Sequence, residues 1–325
     1  MPGVVGRSRR MFVLAGLVFL GAVLMIRTPD TDFAEMFGKY GSTNSRFLDN
    51  GNGLRIHTTT SGNPNNPPLF LVHGTSGSFK VFDHITERLS EDYFVVLMDL
   101  PGHGFSSEHP RDDYSYYGYR EAIDIAINEF DYDQINLAGH SLGGWIAWRY
   151  AVEHPQKIGS LILIAPSGVP LGGDPYGAPE KAAAGLSLQL QSFVMENYFP
   201  RFLVKRALLR TVSNRDTVSE ATITAFWELG RLPGNRRALA LSNASDREVH
   251  KVETLTLVNA PTLLIWGAND QMIPLSTSKA FLSRIATIEF MQLDGVGHMP
   301  MLEAANSVSA RISSFLATNL EGDHE

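Results

Sequence analysis

Short runs of consecutive apolar residues alternate along this chain with longer amphipathic segments. The apolar runs lie at 69–72, 93–98, 135–138, 161–164 and 262–266. Uninterrupted runs of this length are typical of strands that are buried on both faces of a parallel sheet. The segments between and after them place apolar residues on one helical face, at 82–89, 117–130, 142–153, 276–285 and 308–320. This alternation predicts a doubly wound α/β sheet that is mostly parallel.

Two further patterns define the edges of the predicted domain. Residues 46–58 resemble a β-hairpin that turns at Gly51–Gly53, and residues 288–291 predict a short last strand. Between 169 and 250 the alternation stops: a Gly/Pro-rich loop leads into segments with helical spacing at 182–198, 200–211 and 219–229. We therefore predict a core formed by 46–168 and 251–325, with 169–250 inserted as a helical lid.

The amino terminus contains sixteen uncharged residues, 11–26, with three arginines just before them and Arg27 just after. At about 1.5 Å per residue, a helix of this length covers about 24 Å, which is short of a bilayer core of about 30 Å. Local thinning of the bilayer and arginine snorkelling can close that gap.

Three interpretations of this run remain open: a cleaved signal peptide, an uncleaved signal anchor and a buried helix of the domain. Cleavage requires small residues after the apolar run, but Arg27 stands there. We favour a signal anchor over 11–27, with 1–10 as a cytoplasmic tail and 28–45 as a tether. The arginine bias then predicts a catalytic domain on the outer side of the membrane, periplasmic or extracellular.

Composition narrows the possible functions. The chain has 325 residues, and 27 Lys+Arg against 34 Asp+Glu give a net charge of −7, so the global positive charge of a nucleic-acid-binding protein is missing. With 0 cysteines, disulfides, thiolate nucleophiles and Cys-ligated metals are excluded. The sequence contains neither a phosphate-binding G-x-x-x-x-G-K-[ST] motif nor H-E-x-x-H, and we expect no cofactor and no metal.

The strongest chemical signal is the pentapeptide Gly139–Gly143, which has the form G-x-S-x-G. It directly follows the predicted strand 135–138 and directly precedes a predicted helix, which is the context of a nucleophile elbow. A sharp turn there would expose the hydroxyl of Ser141. The amide of Leu142, at the helix N-terminus, would be free to stabilise an oxyanion.

A serine nucleophile needs a base and a carboxylate that orients the base. Asp270 follows the predicted strand 262–266, at the carboxyl end where open α/β sheets keep their sites, and His298 follows the last predicted strand in a glycine-bounded loop. The loop after 69–72 offers the Thr75 amide as a second oxyanion donor. The ring of His140 is expected to point away from the side chain of Ser141.

Three other polar residues near these loops are interpreted as structural. His73 is expected to hold its loop by hydrogen bonds, and Asp99 and His103 are expected to shape the tight turn after the strand 93–98.

Together these motifs resemble the α/β-hydrolase superfamily. The resemblance rests on His73-Gly74, the segment 99–104, the elbow at 139–144, the segment 267–270 and Gly297-His298, and it covers the chain from about residue 46 onwards apart from the lid. It implies a triad of Ser141, Asp270 and His298, with an oxyanion hole made by the amides of Thr75 and Leu142. The lipase/esterase and C–C-bond hydrolase branch is the most similar, and some bacterial lipases of this type carry an N-terminal anchor.

The expected reaction is hydrolysis of a carboxylic ester with an apolar acyl or aromatic group, through an acyl-enzyme on Ser141. Apolar lid residues such as Phe193, Phe226 and Trp227 favour such a substrate over a sugar or a phosphate. C–C bond hydrolysis, acyl transfer, and a membrane-tethered binding module without catalysis remain as alternatives. Beyond this substrate, the lipid bilayer around 11–27 is the expected partner, and the sequence does not indicate an oligomeric state.

Overall fold

A computed structural model describes residues 27–170, 188–244 and 252–321. Eight strands build its sheet: β1 (Ser45–Asp49), β2 (Arg55–Ser61), β3 (Pro68–Val72), β4 (Phe94–Met98), β5 (Ile135–His140), β6 (Ile158–Ile164), β7 (Thr262–Gly267) and β8 (Ile288–Leu293). Their order across the sheet is β1-β2-β4-β3-β5-β6-β7-β8. β2 pairs antiparallel with both β1 and β4, and every later pair is parallel. The predicted mostly parallel α/β sheet is confirmed.

Eleven α-helices lie in the described residues: α1 (Phe33–Tyr40), α2 (Asp83–Leu89), α3 (Tyr116–Phe130), α4 (Leu142–Glu153), α5 (Leu188–Asn197), α6 (Arg201–Thr211), α7 (Glu220–Leu229), α8 (Asn235–Ala244), α9 (Ser278–Leu282), α10 (Pro300–Glu303) and α11 (Ala305–Glu321). The segment predicted as a lid is helical where it is described and contains α5 to α8. Residues 171–187 and 245–251 of that prediction lie outside the described residues.

The sheet separates two hydrophobic cores. Along β3, Phe70 and Val72 enter one core, and Leu69 and Leu71 enter the other. Side chains alternate between the faces of a strand, so a strand buried on both faces must be apolar at every position. This requirement is the reason for the uninterrupted apolar runs in the sequence.

The segment 28–45 was predicted to be a tether, and this prediction is wrong. Helix α1 lies within it, and the side chain of Asp32 caps the helix by accepting a hydrogen bond from the Glu35 amide at 2.8 Å. Phe33, Met36 and Phe37 follow the i, i+3, i+4 spacing of one helical face. Met36 is buried, and the two phenylalanines pack against the hydrophobic core. The polar composition of the segment concealed this short apolar face.

Of the predicted anchor 11–27, residues 11–26 lie outside the described part of the chain, as does the predicted cytoplasmic tail 1–10. Within the described ranges, no helix combines the length and the apolar character that crossing a bilayer requires.

Candidate active site

Ser141 sits at a strained turn between β5 and α4. Its backbone φ of 52° and ψ of −112° lie outside the ordinary regions for a residue with a side chain. Such a conformation costs on the order of 1–3 kcal/mol and persists only where the surroundings enforce it. Here its amide donates to the Ile164 carbonyl at 3.0 Å, and its carbonyl accepts from the Ser167 amide at 3.0 Å. The predicted strand–turn–helix context of the elbow is present.

Two glycines make this turn possible by close backbone approach. A Cβ added to Gly139 would lie 2.2 Å from the Gly143 carbonyl oxygen, and one added to Gly143 would lie 2.2 Å from the Val72 carbonyl oxygen. Both distances are far below van der Waals contact. The G-x-S-x-G spacing therefore follows from packing the elbow onto itself and onto β3.

Asp270 and His298 are joined by a buried hydrogen bond. His298 Nδ1 donates to Asp270 Oδ2 at 2.7 Å, and the two residues are 5% and 6% exposed. The second carboxylate oxygen of Asp270 accepts from the backbone amides of Met272 and Ile273 at 2.8 and 2.9 Å. Because a carboxylate can only accept, this bond places the proton of the neutral imidazole on Nδ1. The lone pair is then on Nε2, which can accept a proton.

Ser141, Thr75 and His298 line one cavity of about 630 Å³. Gly74 packs against the elbow, since a Cβ at that position would lie 2.9 Å from the Cβ of Ser141. Leu142 is buried at the first position of α4. The rest of the cavity wall is largely apolar and includes Val81, Met195, Val204, Leu208, Phe226 and Met272. The structure thus brings the serine and the histidine–aspartate pair, far apart in sequence, to one apolar cavity.

His140 has a role that the sequence did not indicate. Its Nε2 donates to the backbone carbonyl of His298 at 2.8 Å, and the two imidazole rings lie 4.8 Å apart between centroids. Burial lowers the pKa of His140 well below its usual range, and the neighbouring His298 lowers it further. His140 is therefore a neutral donor that ties the elbow to the loop 294–299, which carries His298 and is called the histidine loop below.

This buried neutral histidine should make the protein's stability depend on pH. Below about pH 6.5, His140 binds a proton in the unfolded chain but stays neutral in the folded protein. The free energy of unfolding therefore falls as the pH drops from 7. We expect His140→Gln, whose amide can still donate to the His298 carbonyl, to reduce this slope by up to about 1.4 kcal/mol per pH unit. Denaturant unfolding between pH 5 and pH 7 measures it. The exposed His84→Gln is the control, and an unchanged slope in His140→Gln contradicts the argument.

Glu303 ties the histidine loop to the lid. Its Oε1 accepts from the Gly297 amide at 2.8 Å, and its Oε2 accepts from the amides of Ser213 and Asn214 at 2.8 and 2.9 Å. The backbone amide of His298 donates to the carbonyl of Thr211, the last residue of α6, at 2.7 Å. The peptide groups of His298 are thus held by the lid on one side and by the elbow on the other. No sequence motif signals this arrangement, because its partners lie about ninety positions apart.

Asp99 is fully buried and joins β2 to the loops that follow β3 and β4. It accepts hydrogen bonds from His57 Nδ1 at 2.7 Å and from the amides of Phe79 and Phe105 at 2.7 and 2.9 Å. Burial opposes ionisation, but the hydrogen bond and the charge of His57 outweigh it and lower the pKa of the Asp99 carboxyl. His73 Nε2 accepts from the Leu100 amide at 3.1 Å, which agrees with its predicted structural role.

Comparison with known proteins agrees with this fold. Residues 67–305 match the family model described as alpha/beta hydrolase fold. The acetyltransferase component of the acetoin cleaving system from Pseudomonas putida is 30% identical over 256 residues, which are 77% of this chain and 63% of that protein. This chain therefore spans less than two thirds of that relative's length. Lipase 1 from Psychrobacter immobilis is 25% identical over 273 residues, which are 81% of each protein.

Among solved structures, the 2-hydroxy-6-oxo-6-phenylhexa-2,4-dienoate hydrolase from Rhodococcus sp. strain RHA1 superposes with a TM-score of 0.71 at 22% identity, covering 84% of this chain and 98% of that one. The names of these relatives include an acyltransferase component, a lipase and a dienoate hydrolase. A shared fold can host each of these chemistries, so the reaction must be argued from the site.

Proposed function

Because the chain belongs to the alpha/beta hydrolase fold family, we propose that it is a serine hydrolase that cleaves carboxylic esters of an apolar acyl or aromatic substrate. The observation that carries this proposal is the Asp270–His298 hydrogen bond of 2.7 Å at the same cavity as Ser141 in its strained turn. A base oriented by a carboxylate and a serine raised from the sheet are the two groups that acyl transfer needs.

In the proposed reaction, the Ser141 hydroxyl oxygen attacks the ester carbonyl carbon while His298 Nε2 takes the hydroxyl proton. Asp270 stabilises the resulting imidazolium through Nδ1. The amides of Thr75 and Leu142 are the proposed donors to the oxyanion. Collapse of the tetrahedral intermediate breaks the ester C–O bond, and the imidazolium gives its proton to the leaving alcohol. Water, activated by His298, then hydrolyses the acyl-enzyme to a carboxylic acid and restores Ser141.

The shape and chemistry of the cavity support an apolar acyl group. About 630 Å³ is enough for a medium-length acyl chain, and the walls supplied by Val204, Leu208 and Phe226 offer no charge to a phosphate or a sugar acid.

The test uses the full chain with p-nitrophenyl esters of increasing acyl length and with a fluorophosphonate probe. We expect covalent labelling of Ser141 and ester turnover that rises with acyl length until the cavity is filled. Labelling without ester turnover would favour C–C bond hydrolysis or acyl transfer to an alcohol or amine. Absence of both would favour a binding module and would end the proposal.

We also propose that residues 11–27 anchor the chain in a membrane, with the hydrolase on the outer side. This proposal is supported by the sixteen uncharged residues and by the excess of arginine before them over after them. Flotation of the full chain with lipid vesicles after carbonate washing tests it, and recovery in the unbound fraction would contradict it.

Glu303→Ala is expected to lower kcat on a dissolved short-chain ester by about 10- to 100-fold, because it releases the loop that carries His298, and small misplacements of a reacting group cost this much. Glu303→Gln retains one acceptor oxygen and should be intermediate. Glu289→Ala, which removes an exposed carboxylate paired with Arg311, is the matched control. Full activity of Glu303→Ala with an unchanged melting temperature would show that the loop holds its position without this carboxylate.

A further inference from the structure

Exposed apolar side chains gather where α5 ends and α6 begins. Phe193 and Val194 near the end of α5 are 51% and 42% exposed, and Phe202 and Leu203 at the start of α6 are 67% and 48% exposed. Only residues 198–200 separate the two helices, and we call this connection the joint. Measured along the helix axis, each of the four residues lies within about 6 Å of the joint. A grouped apolar surface of this kind marks an interaction site, whereas single exposed apolar residues are ordinary. We call these four residues the lid patch.

The described part of the chain, which directly follows the apolar run 11–26, begins at this same connection between α5 and α6. The Thr28 amide donates to the Asn197 carbonyl at 2.9 Å, and the Phe199 amide donates to the Thr28 hydroxyl at 2.9 Å. Arg236 Nη1 donates to the Thr28 carbonyl at 2.6 Å and fastens the segment from the lid side. The anchor proposed for residues 11–27 therefore joins the domain next to the lid patch.

Positive charge continues along α6 from the lid patch. Phe202, Arg206 and Arg210 are spaced by four residues, which places them on one side of the helix, and all three are exposed. Neither arginine forms a salt bridge within the described part of the chain. Exposed Arg27, which precedes Thr28, adds a third cation. Apolar residues flanked by cations are typical of a helix that lies at the surface of an anionic bilayer.

The opposite side of the same two helices faces the candidate active site. Met195 of α5, together with Val204 and Leu208 of α6, lines the cavity that contains Ser141. The two helices thus separate the cavity from the lid patch by a single layer.

We propose that the lid patch lies on an anionic lipid bilayer, with its apolar side chains at the acyl boundary and Arg206 and Arg210 at the headgroup phosphates. The proposal rests on the membrane anchor of residues 11–27 proposed above. It adds a fixed orientation: the lid faces the membrane, and the cavity receives acyl chains from the bilayer through the layer formed by α5 and α6.

The absence of cysteine in the chain permits a direct test by single-site labelling. Full-length Phe202→Cys, labelled with an environment-sensitive NBD fluorophore, is reconstituted in phosphatidylcholine/phosphatidylglycerol vesicles with or without doxyl-labelled lipid. Leu257→Cys is the matched control, because Leu257 is 55% exposed and precedes the amino end of β7, away from the lid. We expect about twofold quenching by doxyl lipid at position 202 and none at 257.

The outcomes distinguish the patch from the anchor and from the proposed enzymatic activity. Flotation of the labelled chain with the vesicles reports the anchor alone. Flotation without quenching at position 202 overturns the docking proposal, and a blue-shifted but unquenched label shows that the chain itself or a second copy covers the patch. Failure to float overturns the anchor and the docking together. None of these readings depends on esterase activity.

A second measurement uses activity. Phe202→Glu is expected to lower the rate on a vesicle-borne long-chain ester about fivefold, because it places a carboxylate at the acyl boundary, while the rate on a dissolved short-chain ester stays within about twofold. Leu257→Glu should change neither rate. An equal loss on both esters in Phe202→Glu would point to damage to the lid and would contradict docking as the cause.

Discussion

Ser141→Ala is expected to lower kcat on a p-nitrophenyl ester by several orders of magnitude, on the order of 10⁶-fold where the serine, histidine and aspartate act as one unit. The proposed reaction begins with a covalent bond to the Ser141 oxygen, so a variant without this oxygen cannot form the acyl-enzyme. Kinetics on the full chain and loss of fluorophosphonate labelling measure the effect together.

The fold should survive this replacement, since the backbone bonds of Ser141 to Ile164 and Ser167 do not use its hydroxyl. Alanine keeps the Cβ and therefore the same backbone strain at this positive φ, so the melting temperature should stay close to that of the parent chain. Ser167→Ala, which removes a hydroxyl from the same cavity wall, is the control and should keep most of the activity. Retained turnover in Ser141→Ala would refute the nucleophile assignment.

Asp270→Asn is expected to lower kcat/KM by about 10⁴-fold through the wrong tautomer of His298. The amides of Met272 and Ile273 both donate to one oxygen of Asp270, so they will hold the oxygen of an asparagine in that position. The amide NH₂ then faces His298 Nδ1, which must become an acceptor. The imidazole proton moves to Nε2, and the base that should take the Ser141 proton is lost.

Because the asparagine keeps the two backbone bonds, Asp270→Asn should fold like the parent chain, whereas Asp270→Ala should also lose stability. Rates of fluorophosphonate labelling as a function of pH, with thermal unfolding alongside, separate the two effects. Asn269→Ala, which removes a neighbouring bond to the Ser213 hydroxyl, controls for disturbance of the loop. Activity of Asp270→Asn within about tenfold of the parent chain would mean that another group orients His298.

Some features of the fold could be predicted closely because their cause is local. The apolar runs marked the central strands to within a few residues, since a strand buried on both faces leaves no position for a polar side chain. The helix 142–153 was predicted with the bounds that the structure gives. Helix α1 was missed, because Pro, Asp, Gly and Ser around it outweighed three apolar residues of one short face.

In the candidate site, too, the residues that could be predicted are those whose position has a local cause. Ser141 stands in a motif whose glycines are required by close backbone contacts. Because the spacing of these glycines is visible in the sequence, the motif could be recognised there. Asp270 and His298 were predicted from chain order and strand position, because the ends of parallel strands converge, and the structure joins the two residues by a hydrogen bond. His140 and Glu303 were not found, because each acts on the histidine loop from a distant part of the chain through backbone carbonyls and amides that any residue supplies.

By itself, the sequence determined the alternation of strands and helices and the places of the candidate residues: a serine at a glycine-bounded turn, and an acid and a histidine after two later strands. Only the tertiary structure decided how these groups are held. The hydrogen bonds that hold the His298 peptide groups, the cavity wall formed by α5 and α6, and the position of Thr28 beside the lid patch arise from contacts between distant segments. Periodicity and local propensity encode the backbone path, whereas such contacts depend on how the finished elements pack.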